Sequence, residues 1–251
     1  MSEVDPRVYA PPPGALQDRV ILVTGASGGL GSELAHACAA LGARVVLTGR
    51  NVKRLEAVYD RVRAAGGPRP SIVPLDLEHA DAGHYSALVD AVAAEYGRLD
   101  GLAHLAALLG ERSPIEHHDV VTWMRVMHVN VNAAFILTQS LLPLLRLSQD
   151  ASVVFTTSGV SQRARAYWGA YAVSKFALEG LMQVLADETD TATQIRVNSV
   201  NPGRIRTSMR AKAYPGEDAA SVPLPSQALP TYLYLLGPAS RGITGRRFDA
   251  Q

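Results

Sequence analysis

The chain has 251 residues, 47% of them hydrophobic and 19% charged, with a formal net charge of +1. That much apolar surface can fill a sizeable core, and near-neutrality gives no reason to expect nucleic acid or an anionic membrane as partner. Apolar runs such as VILV and RVVL are strand-sized, no N-terminal pattern reads as a secretory signal, and the one cysteine, Cys38, excludes an internal disulfide or a cysteine metal cage. A cytoplasmic protein with no membrane partner is expected.

Residues 1–18 form a lead-in arm whose three consecutive prolines, in YAPPPGALQ, fit neither a helix nor a central strand. An extended or mobile arm is expected. Over 19–251, short β-branched runs alternate with longer helical patterns, the mark of repeated βαβ units. The spacing predicts strands at 20–24, 44–48, 71–76, 101–106, 152–157, 195–200 and 246–250, reading as near-continuous apolar runs buried on both faces. Helices are predicted near 31–41, 51–65, 81–96, 119–147, 167–188 and 226–236, with Asn51 capping the second. The expected fold is a single α/β domain, a doubly wound Rossmann arrangement with a seven-stranded, mostly parallel sheet and helices on both faces. The Pro-, Gly- and Ser-rich 203–225 follows a strand, where a long loop serves function, and is expected to cover the substrate.

The first strand runs into VTGASGGLGSELAHA. Gly25, Gly28, Gly29 and Gly31, with Ser27 and Leu30 between them, allow a tight turn, close approach of backbone to ligand, and a helix N-terminus aimed at a pyrophosphate. A purely structural βα turn is the alternative. Where an NAD site carries an acid for the ribose, this chain has Arg50, followed by Asn51, and no Asp or Glu lies between 44 and 55. A carboxylate repels a 2′-phosphate and a guanidinium pairs with it, so NADP(H) is favoured over NAD(H). Arg50 as a solvated strand-end charge is the alternative.

In SGVSQRARAYWGAYAVSK, Tyr171 and Lys175 are four apart on one helix face. An ammonium about 4 Å away, at an effective dielectric constant of about 20, supplies roughly the 4 kcal/mol that brings a phenol from pKa about 10 to about 7. Tyr167 is eight residues from Lys175, about 12 Å along a helix, so it reads as pocket wall or packing. Ser158 follows a strand end, where a hydroxyl can bond a carbonyl and the Tyr171 phenol together; Ser161 lies farther into the loop and Ser174 on another helix face.

With TGASGGLG, YAVSK and NPGRIRT in order, the chain resembles the short-chain dehydrogenase/reductase family over almost all of 19–250. Within it, WMRVMHVNVNAAFILTQSLLPLL and TGRRFDAQ look most like the YciK-type oxidoreductases. The resemblance implies hydride transfer between a nicotinamide and a carbonyl or alcohol, with Asn130, Ser158, Tyr171 and Lys175 catalytic. Tyr171 would be the acid–base, Lys175 would lower its pKa and hold the ribose, and Asn130 would support a water linking Lys175 to solvent. It also implies cofactor contacts from Asp76 and Leu77 after strand three, from Ala106, and from Pro202, Gly203, Ile205 and Thr207. A homodimer or homotetramer is implied, through helices whose apolar residues include Phe135, Leu141, Phe176 and Met182.

The chain departs from the family at His104-Leu105-Ala106-Ala107, where Asn-Asn-Ala-Gly is usual. Ala107 adds a methyl beside the cofactor, and His104 reads as a hydrogen-bonding member of the sheet end. Gly28 stands where many NADP-preferring members carry Arg or Lys, leaving Arg50 and Ser27 for the phosphate. No metal is expected: His117 and His118 are adjacent and point apart. The rival to an enzyme is a catalytically silent, cofactor-binding regulatory or scaffold protein of the same fold.

Overall fold

The computed structural model describes residues 4–190 and 194–251. Its strands are β1 (Val20–Thr24), β2 (Arg44–Gly49), β3 (Ser71–Pro74), β4 (Gly101–His104), β5 (Ala151–Thr156), β6 (Ile195–Asn201) and β7 (Arg247–Asp249). They form one sheet in the order β3-β2-β1-β4-β5-β6-β7. Every pairing among the described residues is parallel, where a mostly parallel sheet was expected. Each strand returns through a crossover, which brings it back in the same direction.

The helices are α1 (Gly29–Ala40), α2 (Val52–Ala64), α3 (Ala82–Tyr96), α4 (Val120–Met127), α5 (Ala133–Arg146), α6 (Gly169–Asp190), α7 (Ser208–Ala213) and α8 (Leu229–Leu236). Strand residues alternate between two cores, as a two-residue period requires. Ile21, Val23, Val45 and Leu47 pack with α1, α2 and α8 on one face. Val20, Leu22 and Val46 pack with α3, α5 and α6 on the other. The order reverses between β1 and β4, which opens a crevice at the strands' carboxyl ends.

Four local expectations are corrected. The arm is docked: Leu16 is buried, its N–H bonds Leu41 O at 3.0 Å, and Tyr9 sets its ring edge on Tyr234 at 5.4 Å. The prolines exclude regular structure, but the apolar anchors around them still find a core. The 119–147 helix is interrupted at His128–Asn132 by a π-helical turn. Helix 167–188 starts only at Gly169, because Tyr167 adopts φ 72°. Among the apolar residues expected on outer helix faces, Phe135 and Phe176 are exposed, whereas Leu141 and Met182 are core. Taken as one, Val120–Arg146 is long and apolar enough to cross a membrane by length and composition, with an 18-residue window of mean hydropathy 1.3 that is 33% buried; α5 packs on α3 and α4 on α6.

Candidate active site

A cleft of about 630 Å³ runs along the carboxyl ends of the strands. Every expected catalytic and cofactor-binding residue lines it except Asn130.

The glycine turn is dictated by contact. Gly25 has φ +64°, and a β-carbon there would lie 2.9 Å from Ala106 N, on the neighbouring strand end. At Gly31 a β-carbon would meet Gly25 O at 2.2 Å. Thr24 locks the two strand ends, its Oγ1 accepting the N–H groups of Leu105 (3.0 Å) and Ala106 (3.1 Å). The outcome is bare main chain over the N-terminus of α1, suited to a pyrophosphate.

Beyond β2, Arg50 lies 3.4 Å from Glu78 Oε2 and stays 58% exposed. Glu78 is held mainly by Arg125, at 2.5 Å. Asn51 caps α2 by accepting from Arg54 N at 3.0 Å, and Arg54 also lines the cleft. Its position one turn inside a cap that faces the cleft is the sequence signal for it. Asp76 accepts from Glu78 N (3.1 Å) and pairs with His79 (3.0 Å).

At the other end, the loop after β5 and helix α6 bring Ser158, Tyr171 and Lys175 together. Burial dominates and pushes Tyr171 up to about 12, with the nearby Ser158 side chain opposing. Lys175 Nζ donates to Thr156 O at 2.8 Å and stands 5.5 Å from the Tyr171 ring centre. Burial pushes Lys175 down to about 8, with Glu179 opposing. The expected lowering of Tyr171 by Lys175 is therefore absent. An argument from one ammonium at 4 Å leaves out the cost of burying a phenolate.

Asn130, in the π-helical turn, is buried behind the cleft, not on it. Its Oδ1 accepts Leu108 N–H (2.7 Å), and its Nδ2 donates to Leu108 O (2.9 Å) and Ser174 Oγ (3.0 Å). Both ends of the amide are used, which fits positioning of the chain after β4.

Sequence reasoning missed the support under Ser158. Ser161 Oγ contacts both Ser158 O (2.7 Å) and Glu179 Oε1 (3.0 Å). Ser199 donates to Glu179 Oε2 at 2.6 Å, and Arg247 Nε lies 3.3 Å from Oε1. Glu179, one turn beyond Lys175, thus joins loop, α6, β6 and β7; only the fold brings those four segments together. His104 is buried, stacked on Phe155 with ring centres 4.9 Å apart, and bonded to Thr138 Oγ1 at 2.8 Å. Burial and the Lys175 charge push it down to about 3, so it is neutral at working pH. Cys38 is core in α1, its thiol pushed up by burial to about 12.

A parallel sheet wound in this order, with a glycine turn at its first strand and a Ser–Tyr–Lys set across the crevice, defines a dinucleotide-dependent oxidoreductase fold. The chain belongs to the short chain dehydrogenase family, whose model matches residues 19–218. It is 48% identical over 243 residues to the uncharacterized oxidoreductase YciK of Escherichia coli K12, covering 97% of this chain and 96% of that protein. A short chain dehydrogenase structure from Pseudomonas syringae superposes with a TM-score of 0.96 at 53% identity, covering 97% of this chain and 98% of that one. Another, from E. coli CFT073 and complexed with NADPH, gives 0.92 at 48% identity, over 96% and 100%.

Proposed function

We propose that the protein is an NADP(H)-dependent oxidoreductase interconverting a small-molecule carbonyl compound and its alcohol, with Tyr171 as the acid–base. The observation that carries this is the buried Tyr171 phenol, set with Ser158 and Lys175 at one end of a cleft with a glycine cradle at the other.

The cleft fits a dinucleotide. Its glycines leave main chain bare where β-carbons would collide, and two buried hydroxyls lining it, Thr48 and Thr157, have no hydrogen-bond partner within the described protein. Arg50, Arg54 and Ser27 lie together near one end and suit a 2′-phosphate, and the NADPH complex of the E. coli CFT073 relative supports that choice. Asp76 and Leu77 would border the adenine, and Ile205 and Thr207 the nicotinamide side. When bound, the nicotinamide supplies a hydride at C4.

The chain's own residues do the rest. Ser158 orients and polarises the carbonyl oxygen, and Tyr171 gives it a proton. A phenol held up at about 12 stays protonated at neutral pH, ready to donate. Lys175, fixed on Thr156 O, places positive charge beside the phenolate as it forms. Asn130 positions the cleft floor. The loop 203–225, folded partly as α7, covers the substrate end. Of the residues expected at a pairing face, Phe135 on α5 and Phe176 on α6 are exposed, and a second copy would meet them there.

The test is consumption of NADPH against a panel of carbonyl compounds, with NADPH binding measured separately. Steady oxidation supports the reading; tight binding without consumption, for every carbonyl, favours the silent cofactor-binding alternative.

A further inference from the structure

We infer that the substrate end takes an uncharged carbonyl compound with a planar apolar body, an aromatic aldehyde or ketone, held beside Tyr171 by Trp168. This rests on the oxidoreductase reading above.

The backbone is bent to aim Trp168. Tyr167 holds φ 72°, and Gly169 follows at φ 25°. A non-glycine residue in that region is strained, and such strain collects at functional sites. Its effect is to send Tyr167 outward, 56% exposed, while Trp168 turns in to 8%. His118 closes the back of the bend: a β-carbon at position 169 would lie 3.0 Å from its ring.

Stacking then fixes the indole. Trp168 lies 5.8 Å from both Tyr171 and Tyr214, ring centre to ring centre. The Arg112 guanidinium covers Trp168 at 4.9 Å and Tyr214 at 5.3 Å, and donates to Ala213 O at the end of α7. Arg112 therefore ties the chain after β4 to α7 through the two rings. Leu109, Met209 and Ala213 complete an apolar wall with Trp168, Tyr171 and Tyr214, and all six line the cleft. The rings pack on one another at these distances and together present an aromatic wall to the cleft, against which a flat ring can lie.

Charge excludes the other classes. Arg210 lines this end but gives Nε and Nη2 to Glu217, both at 2.6 Å, and lies flat on Tyr214 at 3.7 Å. Arg112 has no ion pair among the described residues, but its guanidinium is engaged by the rings and Ala213 O, so a carboxylate on the substrate body would have to displace those contacts to be met. In the step itself, the carbonyl carbon gains the hydride of the reduced nicotinamide and the oxygen gains the Tyr171 proton, which solvent replaces. The carbonyl is reduced and the nicotinamide oxidised.

The test uses NADPH and four probes: 1-tetralone, acetophenone, benzoylformate (a ring with a carboxylate) and 2-butanone (no ring). The expected kcat/KM for 1-tetralone is about 100-fold above benzoylformate and 2-butanone, the scale of a well-matched pocket. Trp168→Ala should raise KM for 1-tetralone about tenfold more than for 2-butanone, and Trp168→Phe should recover most of the loss. Calorimetric titration of 1-tetralol into the NADP+-loaded protein should show the same loss in Trp168→Ala. Equal or better turnover of benzoylformate or 2-butanone overturns the inference, as does a Trp168→Ala effect equal for all probes. If no probe is reduced, the oxidoreductase reading fails and the titration decides this one alone. Tetralol binding weakened by Trp168→Ala upholds the slot, and binding that is absent or unchanged overturns it.

Discussion

Asn130 grips the main chain of Leu108 from both sides, accepting its N–H at 2.7 Å and donating to its carbonyl at 2.9 Å. A third bond, to Ser174 Oγ at 3.0 Å, carries the link to α6, where Ser174 donates to Tyr171 O at 2.7 Å. The π-helical turn His128–Asn132 widens the helix where this side chain must leave it. One amide thus sets the cleft floor against the helix that carries the tyrosine.

Asn130→Ala takes the partner from both main-chain groups of Leu108, which are part-buried at the cleft floor, a cost of about 2 kcal/mol. A fall in melting temperature of about 4–10 °C follows for a chain of this size. Asn130→Asp keeps the acceptor but cannot donate to Leu108 O, and should do no better. Thermal unfolding of both variants checks this; a melting temperature unchanged in either contradicts it.

Arg50 and Arg54 are predicted to set cofactor choice together. Arg50 is weakly tied to Glu78, so it is free to turn toward a phosphate. Arg50→Asp combined with Arg54→Asp should reverse the preference for NADP+ over NAD+ by about 100-fold in Kd, since each change replaces attraction with repulsion. Arg50→Asp alone should move it part of the way. Fluorescence titration with both dinucleotides reads the ratio, and an unmoved ratio removes both residues from the site.

His104 should make the fold sensitive to acid. Its pKa is about 3 in the folded chain, against 6.5 for an ordinary solvated histidine. Between those values the unfolded chain binds the proton and the folded chain does not, so stability falls as pH falls through 6.5. From pH 7 to pH 4 the loss from this group is about 3 kcal/mol. His104→Asn, which can still bond Thr138, should remove that share of the slope. Denaturant unfolding at both pH values measures it, and equal slopes in both proteins contradict it.

Much of this was legible in the sequence, for identifiable reasons. A glycine turn, a strand-end serine and a Tyr–Lys pair are local patterns, and local spacing fixes their geometry. Ser161 and Glu179 were not legible, because each gains its place from a segment distant in the chain. The docked arm was missed for the same reason: Leu16 and Tyr9 meet their partners on α1 and α8 only once the sheet is wound. Tyr171 lines the cleft as its spacing implies, but burial, a property of the whole fold, sets its proton affinity. Tyr167 reads as wall or packing from spacing alone, and the φ that turns it outward and Trp168 inward leaves no trace in composition.

The central claim, that Tyr171 is the acid–base of an NADP(H)-dependent oxidoreductase, is tested most directly by Tyr171→Phe. The phenylalanine keeps the ring that packs on Trp168 and removes only the hydroxyl. NADPH oxidation with an accepted carbonyl should fall by about 10³-fold or more, while the Kd for NADPH stays within about twofold, because the lost group acts on the transition state and not on binding. Turnover by Tyr171→Phe at the wild-type rate would contradict the account.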